Sequence, residues 1–147
     1  MTEKLMARRY VEVQVINQLL DNSPTTSTSS WYDVGDFDKV TLCLVSDVTA
    51  VGASPQVTYT VQTMTNITAM GSDGQPTGTA RTYDKLLATG GTDAPVASVV
   101  HSADATAFVS LSPEDAIRWI RVVATGANTD ADDTVQCNVI LMGKTST

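Results

Sequence analysis

Histidine occurs once in this sequence and cysteine twice, so nucleophilic, metal or redox chemistry would have to start from three residues. His101 lies in the polar stretch His101-Ser102-Ala103-Asp104. A Ser/His/Asp triad needs members that converge in space, and nothing around this stretch resembles a nucleophile elbow. We expect a loop histidine without a catalytic role. One histidine and two separated cysteines are too few ligands for a tetrahedral zinc site. Cys43 and Cys137 both fall in apolar segments, where a free thiol behaves as a small hydrophobe. Two free buried thiols are expected, with a disulfide between them as the other possibility. Acidic residues cluster twice, as Asp33, Asp36 and Asp38 around Gly35 and as Asp130-Ala131-Asp132-Asp133. Oxygen-rich loops bind Ca²⁺, but the second cluster lacks the glycine and closing glutamate of an EF-hand. Both are expected to be solvated turns. No phosphate-binding loop is present, and at 5% aromatic residues little material is left for a sugar-stacking cleft. No catalytic residue, cofactor or metal ligand is assigned, and the chain is expected not to be an enzyme.

The elements around these residues are strands. The chain has 22 threonines and 18 valines against 4 lysines, and β-branched side chains pack well on a pleated surface. Lys39 to Val45 places Val40, Leu42 and Leu44 on one face with Cys43 opposite, and Val57 to Thr63 alternates with Val57, Tyr59 and Val61 inward. Near the C-terminus, Ser112-Pro113-Glu114-Asp115 is a turn signal. Ile117 to Ala124 then reads as a strand apolar on both faces, Gly126 to Asp133 is an acidic loop, and Thr134 to Met142 returns as a second strand. Trp119 is expected in the core. Arg118 and Arg121 fall on opposite faces, one of them pairing with an acidic neighbour. Met70 to Gly78 reads as a loop, and residues 80–100 are irregular, with a strand near Val96 to Val100. Six to eight short strands with regular turn signals make an antiparallel sandwich or barrel, with helix below about a fifth of the chain. At 147 residues this is one all-β domain, large enough to bury roughly two-thirds of its extended surface.

Residues 1–30 differ from residues 31–147. Tyr10 to Val15 alternates as a strand with Val11, Val13 and Val15 on one face, while Ser23 to Ser30 is a polar Ser/Thr linker. A strand joined to its domain by such a linker must find a sheet edge, either on its own body or on a neighbouring subunit. The formal charge is −7, yet Lys4, Arg8 and Arg9 make the first ten residues net positive. An acidic body argues against sequence-independent nucleic-acid binding, which requires a basic surface to displace counterions. A basic arm suits docking to another protein. No stretch approaches the roughly 20 apolar residues of a membrane span, and charged residues interrupt any signal-peptide core. Synthesis in a cytoplasm is therefore expected.

Several of these segments occur in an order that resembles a known family. They are Trp31-Tyr32-Asp33-Val34-Gly35, the strand Val40 to Val45, Tyr59 to Thr63, Arg118-Trp119-Ile120-Arg121-Val122, and Val139-Ile140-Leu141-Met142-Gly143-Lys144. From about Trp31 to Lys144 the chain is similar to the small jelly-roll decoration (cement) proteins on the outside of tailed-bacteriophage heads. The resemblance implies a homotrimer bound to the major capsid protein on the outer surface of the virion. Residues 1–30 would be an extended arm, with Lys4, Arg8, Arg9, Tyr10, Val11, Val13 and Val15 as its partner-binding residues. A weaker similarity reaches head fibres and receptor-binding tips, which would make the chain a host-glycan recognition module.

Overall fold

The computed structural model describes residues 9–88, 94–112 and 115–145. Within them the chain forms strands and no helix: β1 Tyr10–Leu20, β2 Thr26–Thr28, β3 Tyr32–Asp33, β4 Lys39–Thr49, β5 Gln56–Met70, β6 Pro76–Tyr83, β7 Leu87–Ala88, β8 Val99–His101, β9 Ala105–Ser110, β10 Trp119–Ala127 and β11 Thr134–Lys144. They build two antiparallel sheets. One runs β1-β11-β4-β9-β7; the other runs β2-β10-β5-β6, with β3 added on β10 and β8 on β5. With β2 and β3 taken as one interrupted strand and the short β7 and β8 set aside, the main strands follow the order 1-8-3-6 in one sheet and 2-7-4-5 in the other. These are the two interlocked Greek keys of a jelly roll.

Period-2 patterning accounts for the core. Val40, Leu42 and Leu44 of β4 meet Val135, Val139 and Leu141 of β11 from one sheet. Val57, Tyr59 and Val61 of β5 and Ile120, Val122 and Ala124 of β10 face them from the other. Each inner face is apolar at alternate positions, so packing the sheets face to face removes both from water together. The two C-terminal strands are thus not partners: β10 pairs with β5 and β11 with β4, and the loop between them crosses from one sheet to the other.

The N-terminal segment is part of the sandwich. β1 pairs along its length with β11, from Tyr10↔Lys144 to Leu20↔Val135. Of the two placements open to it, the strand takes the edge of its own body. A bulge between Gln14 and Ile16 inserts an extra residue, and this flips the inward parity. Val13 and Val15 therefore pack only partly against the core, Ile16 and Leu20 are fully inside, and Val11 is exposed. The expected linker also differs, because Thr26–Thr28 pairs with Val123–Thr125 as an edge strand. Backbone pairing needs no apolar side chain, so a Ser/Thr run serves at a sheet edge as well as in a linker. Residues 10–28 therefore supply strands to both sheets.

The Met70–Gly78 segment is the tip of a long β5–β6 hairpin. Its turn carries Gly74 at φ 78°, and Asn66 at φ 52° sits where the pairing register shifts. Gly78 lies opposite that irregularity, where a Cβ would stand 2.7 Å from the Thr65 carbonyl oxygen. Gln75 at the tip accepts from the Trp31 amide at 2.7 Å and donates to the Trp31 carbonyl at 3.3 Å. Trp31 lies 4.5 Å below the Arg121 guanidinium, whose Nε donates to Gln62 at 2.6 Å. Arg121 thus ties three segments together on the outer face of the second sheet. Arg121→Ala is expected to cost about 1–2 kcal/mol, from lost stacking and stem packing. The neighbouring exposed pair, Arg118 with Asp33 at 3.2 Å, should be worth under about 1 kcal/mol. Urea denaturation of Arg121→Ala beside Arg118→Ala checks this order.

Candidate interaction surface

His101 is not in a loop. It ends β8, is buried, and its Nδ1 lies 2.8 Å from the Ser46 hydroxyl of β4. Ser46 in turn hydrogen-bonds the Tyr59 hydroxyl at 2.6 Å, and the Tyr59 and His101 rings meet edge to face at 5.5 Å. A serine beside a histidine has the makings of a nucleophile, but both are buried between the sheets under the tyrosine ring. Burial lowers the His101 pKa and pushes the Tyr59 phenol up. The cluster is a satisfied polar insert in the core, and it offers a substrate no approach.

The acidic turn also has a structural role. Asp130 accepts the backbone N–H groups of Asp132 and Asp133, and Asp133 accepts those of Val51 and Gly52 at 2.6 and 3.0 Å. Those backbone donors, Val51 first, lower the Asp133 pKa. Among the described residues no group of three or more His, Cys, Asp or Glu is arranged to hold a metal. Asp33 pairs with Arg118, the acidic partner expected for one of the two arginines. Trp119 is 8% exposed but stands apart from the main core cluster, with Arg118 over its ring at 5.7 Å. Tyr83 donates to Asp115 and accepts from the Ser112 amide. Burial is the main cause that pushes the Tyr83 phenol up to about 12.

Cys43 and Cys137 are free and buried, and they point to opposite faces of the same sheet. Burial raises both thiols, with Glu12 adding to the effect at Cys43. Neither is a poised nucleophile.

Of the expected partner-binding residues, Lys4 and Arg8 lie outside the described residues. The Arg9 amide bonds the Thr145 hydroxyl, and Tyr10, Val11, Val13 and Val15 lie in β1. Val11, Val13 and Val15 do not form a free strand, because β1 pairs along one edge with β11.

A different surface stands out. The outer face of the five-stranded sheet is built in rows across β9, β4, β11 and β1. Its middle row is Phe108, Cys43, Ile140 and Gln14. Val45 and Met142 flank that row, and Phe108 is 46% exposed. An antiparallel sheet facing water ordinarily turns polar side chains outward; this one is apolar at its centre. At one end, Tyr10, Lys39, Thr41, Phe108, Met142 and Lys144 bound an open depression of about 370 Å³. The clue in the sequence was the run of apolar residues at successive positions, Leu42-Cys43-Leu44-Val45 and Val139-Ile140-Leu141-Met142, where one buried face would need only every second.

The strand order defines the chain as an antiparallel jelly-roll sandwich. No family model matches the chain, and no curated protein matches it. Among solved structures, it is similar to a chain of the infectious bursal disease virus Gx strain at 10% identity and a TM-score of 0.43, covering 95% of this chain and 32% of that one. A chain of the Gt strain is similar at 14% identity and a TM-score of 0.26, covering 94% of this chain and 40% of that one. The T13 particle of the same virus gives 14% identity and 0.25, with 93% and 39% covered. The chain spans about a third of the length of the first of these.

Proposed function

We propose that this chain is a non-enzymatic virion structural protein that decorates and stabilises the outside of a bacteriophage capsid, with the major capsid protein as its partner. The observation that carries this reading is the apolar centre of the outer sheet face, where solvent exposure would favour polar residues. The jelly-roll strand order and the segment pattern from Trp31 to Lys144 support it, although fold alone does not give function. The oligomer implied by the resemblance is a homotrimer. Such a protein would act by adding contacts across joints between capsomers that separate under internal DNA pressure. Lys4, Arg8 and Arg9 would attract the N-terminus to acidic shell surface. A glycan-recognition module has less support: Trp31 and Trp119 are buried, and the exposed aromatics Tyr10 and Phe108 lie on strands of one sheet.

The test is cosedimentation of purified protein with empty phage capsids, read together with the melting temperature of the shell. Saturable binding that raises the shell's melting temperature is expected. Removal of residues 1–8 should leave the fold intact and weaken attachment, and added salt should weaken it in the same direction. Binding to host cells or glycans without binding to capsids would replace this reading with the recognition module.

A further inference from the structure

We propose that the outer face of the five-stranded sheet is the contact through which two copies of this chain associate face to face about a two-fold axis. The charges on the face choose the occupant. Along the outward positions of β4, Lys39 stands at one end, Asp47 at the other, and Cys43 midway. Lys144 lies beside Lys39 on β11, and Asp104, which accepts the Val48 amide, lies at the Asp47 end. Rotation by 180° about the Phe108–Cys43–Ile140 row reverses the ends and keeps each strand over its own copy. Lys39 then lies over Asp47 of the second copy, Lys144 over Gln136, and the middle row over itself. On β1, exposed Tyr10 comes over exposed Leu19, and Glu12 over Asn17. The other in-plane two-fold axis, along the strands between β4 and β11, would instead stack Lys39 on Lys144 and leave Asp47 over Gln136. The first operator therefore pairs Lys39 with Asp47 twice and sets the apolar row on itself, and a self-complementary patch is what a two-fold interface requires.

Size sets the strength. Four strands at ~4.8 Å spacing and the stretch from Lys39 to Asp47 at ~3.4 Å per residue give roughly 600 Å² per copy. That is below the ~800 Å² of a standard interface, so a dissociation constant near the micromolar range is expected. The contact is argued from this pairing and not from the capsid reading; because both use the same face, a chain paired in this way would not hold a capsid by that face.

Sedimentation at roughly 100 µM, well above that constant, reads the copy number. A wild-type particle with an even number of chains is expected. Phe108→Glu, at a position already 46% exposed, should halve its mass and leave the circular dichroism unchanged. Lys39→Asp and Asp47→Lys should each weaken self-association roughly tenfold or more, because each places like charges opposite one another. A one-to-one mixture of these two variants restores both pairings, and it should associate as tightly as wild type. A wild-type monomer, an odd copy number, a mass indifferent to Phe108→Glu, or a mixture no tighter than its components would each overturn the proposal. A monomer or trimer that still decorates capsids would overturn this contact and leave the decoration reading standing.

Discussion

A chain lacking residues 1–22 is expected to lose its fold entirely rather than to lose a flexible appendage. β1 forms the edge of the five-stranded sheet, and its Ile16 and Leu20 are 3% and 0% exposed in the core. Emptying such sites by large-to-small substitution costs about 2–5 kcal/mol each. The truncation also removes the whole β1–β11 ladder and exposes β11, whose Val135, Cys137 and Val139 are 0% exposed in the intact chain. Against a total stability of about 5–15 kcal/mol, those losses leave no stable native state. Circular dichroism and thermal melting of the truncated chain check this, with Leu20→Ala as a milder companion that should fold and melt earlier. A cooperative melt near the wild-type temperature from the truncated chain would show that β1 is dispensable.

Acid should destabilise the protein well before its carboxylates titrate. Burial lowers the folded pKa of His101, and Ser46 and Tyr59, which bond and pack on its ring, bring no charge to compensate a proton. In the unfolded chain the same imidazole titrates near its ordinary value of about 6.5. Below that pH the unfolded state binds the proton more readily. Stability is thus fully present above about pH 6.5 and falls as pH drops toward the folded pKa, by up to ~1.4 kcal/mol per pH unit. Asp133 acts in a lower window. Its folded pKa is lowered by the amides of Val51 and Gly52, so its contribution is present above about pH 4 and is lost as pH falls further. Urea unfolding at pH 7, 6 and 5 should therefore show a decline that His101→Gln abolishes. An equal slope in the variant would assign the effect to other groups.

The sequence by itself determined the class of fold and most of the core. In Val40, Leu42 and Leu44, or Val57, Tyr59 and Val61, the hydrophobic alternation of a strand is written in adjacent residues, and its physical cause is local pleating. The free, buried state of Cys43 and Cys137 was legible on similar grounds, as was an acidic partner for one of Arg118 and Arg121, though not which arginine or which carboxylate. Three features were decided only by tertiary structure. The bulge at Val15 reversed the inward face of β1, because a register shift depends on the partner strand and not on the strand's own pattern. The Ser/Thr run at 26–28 became an edge strand because backbone pairing is indifferent to polar side chains. His101 met Ser46 and Tyr59, from strands 55 and 42 residues away in sequence, because the β8–β5 pairing brings His101 opposite Val57 at the end of the sandwich. The outer face combines both kinds of information. Its apolar residues are visible in the sequence, but their alignment into one row across β9, β4, β11 and β1 exists only once register is fixed, since residues from four distant segments become neighbours only through the ladders between them.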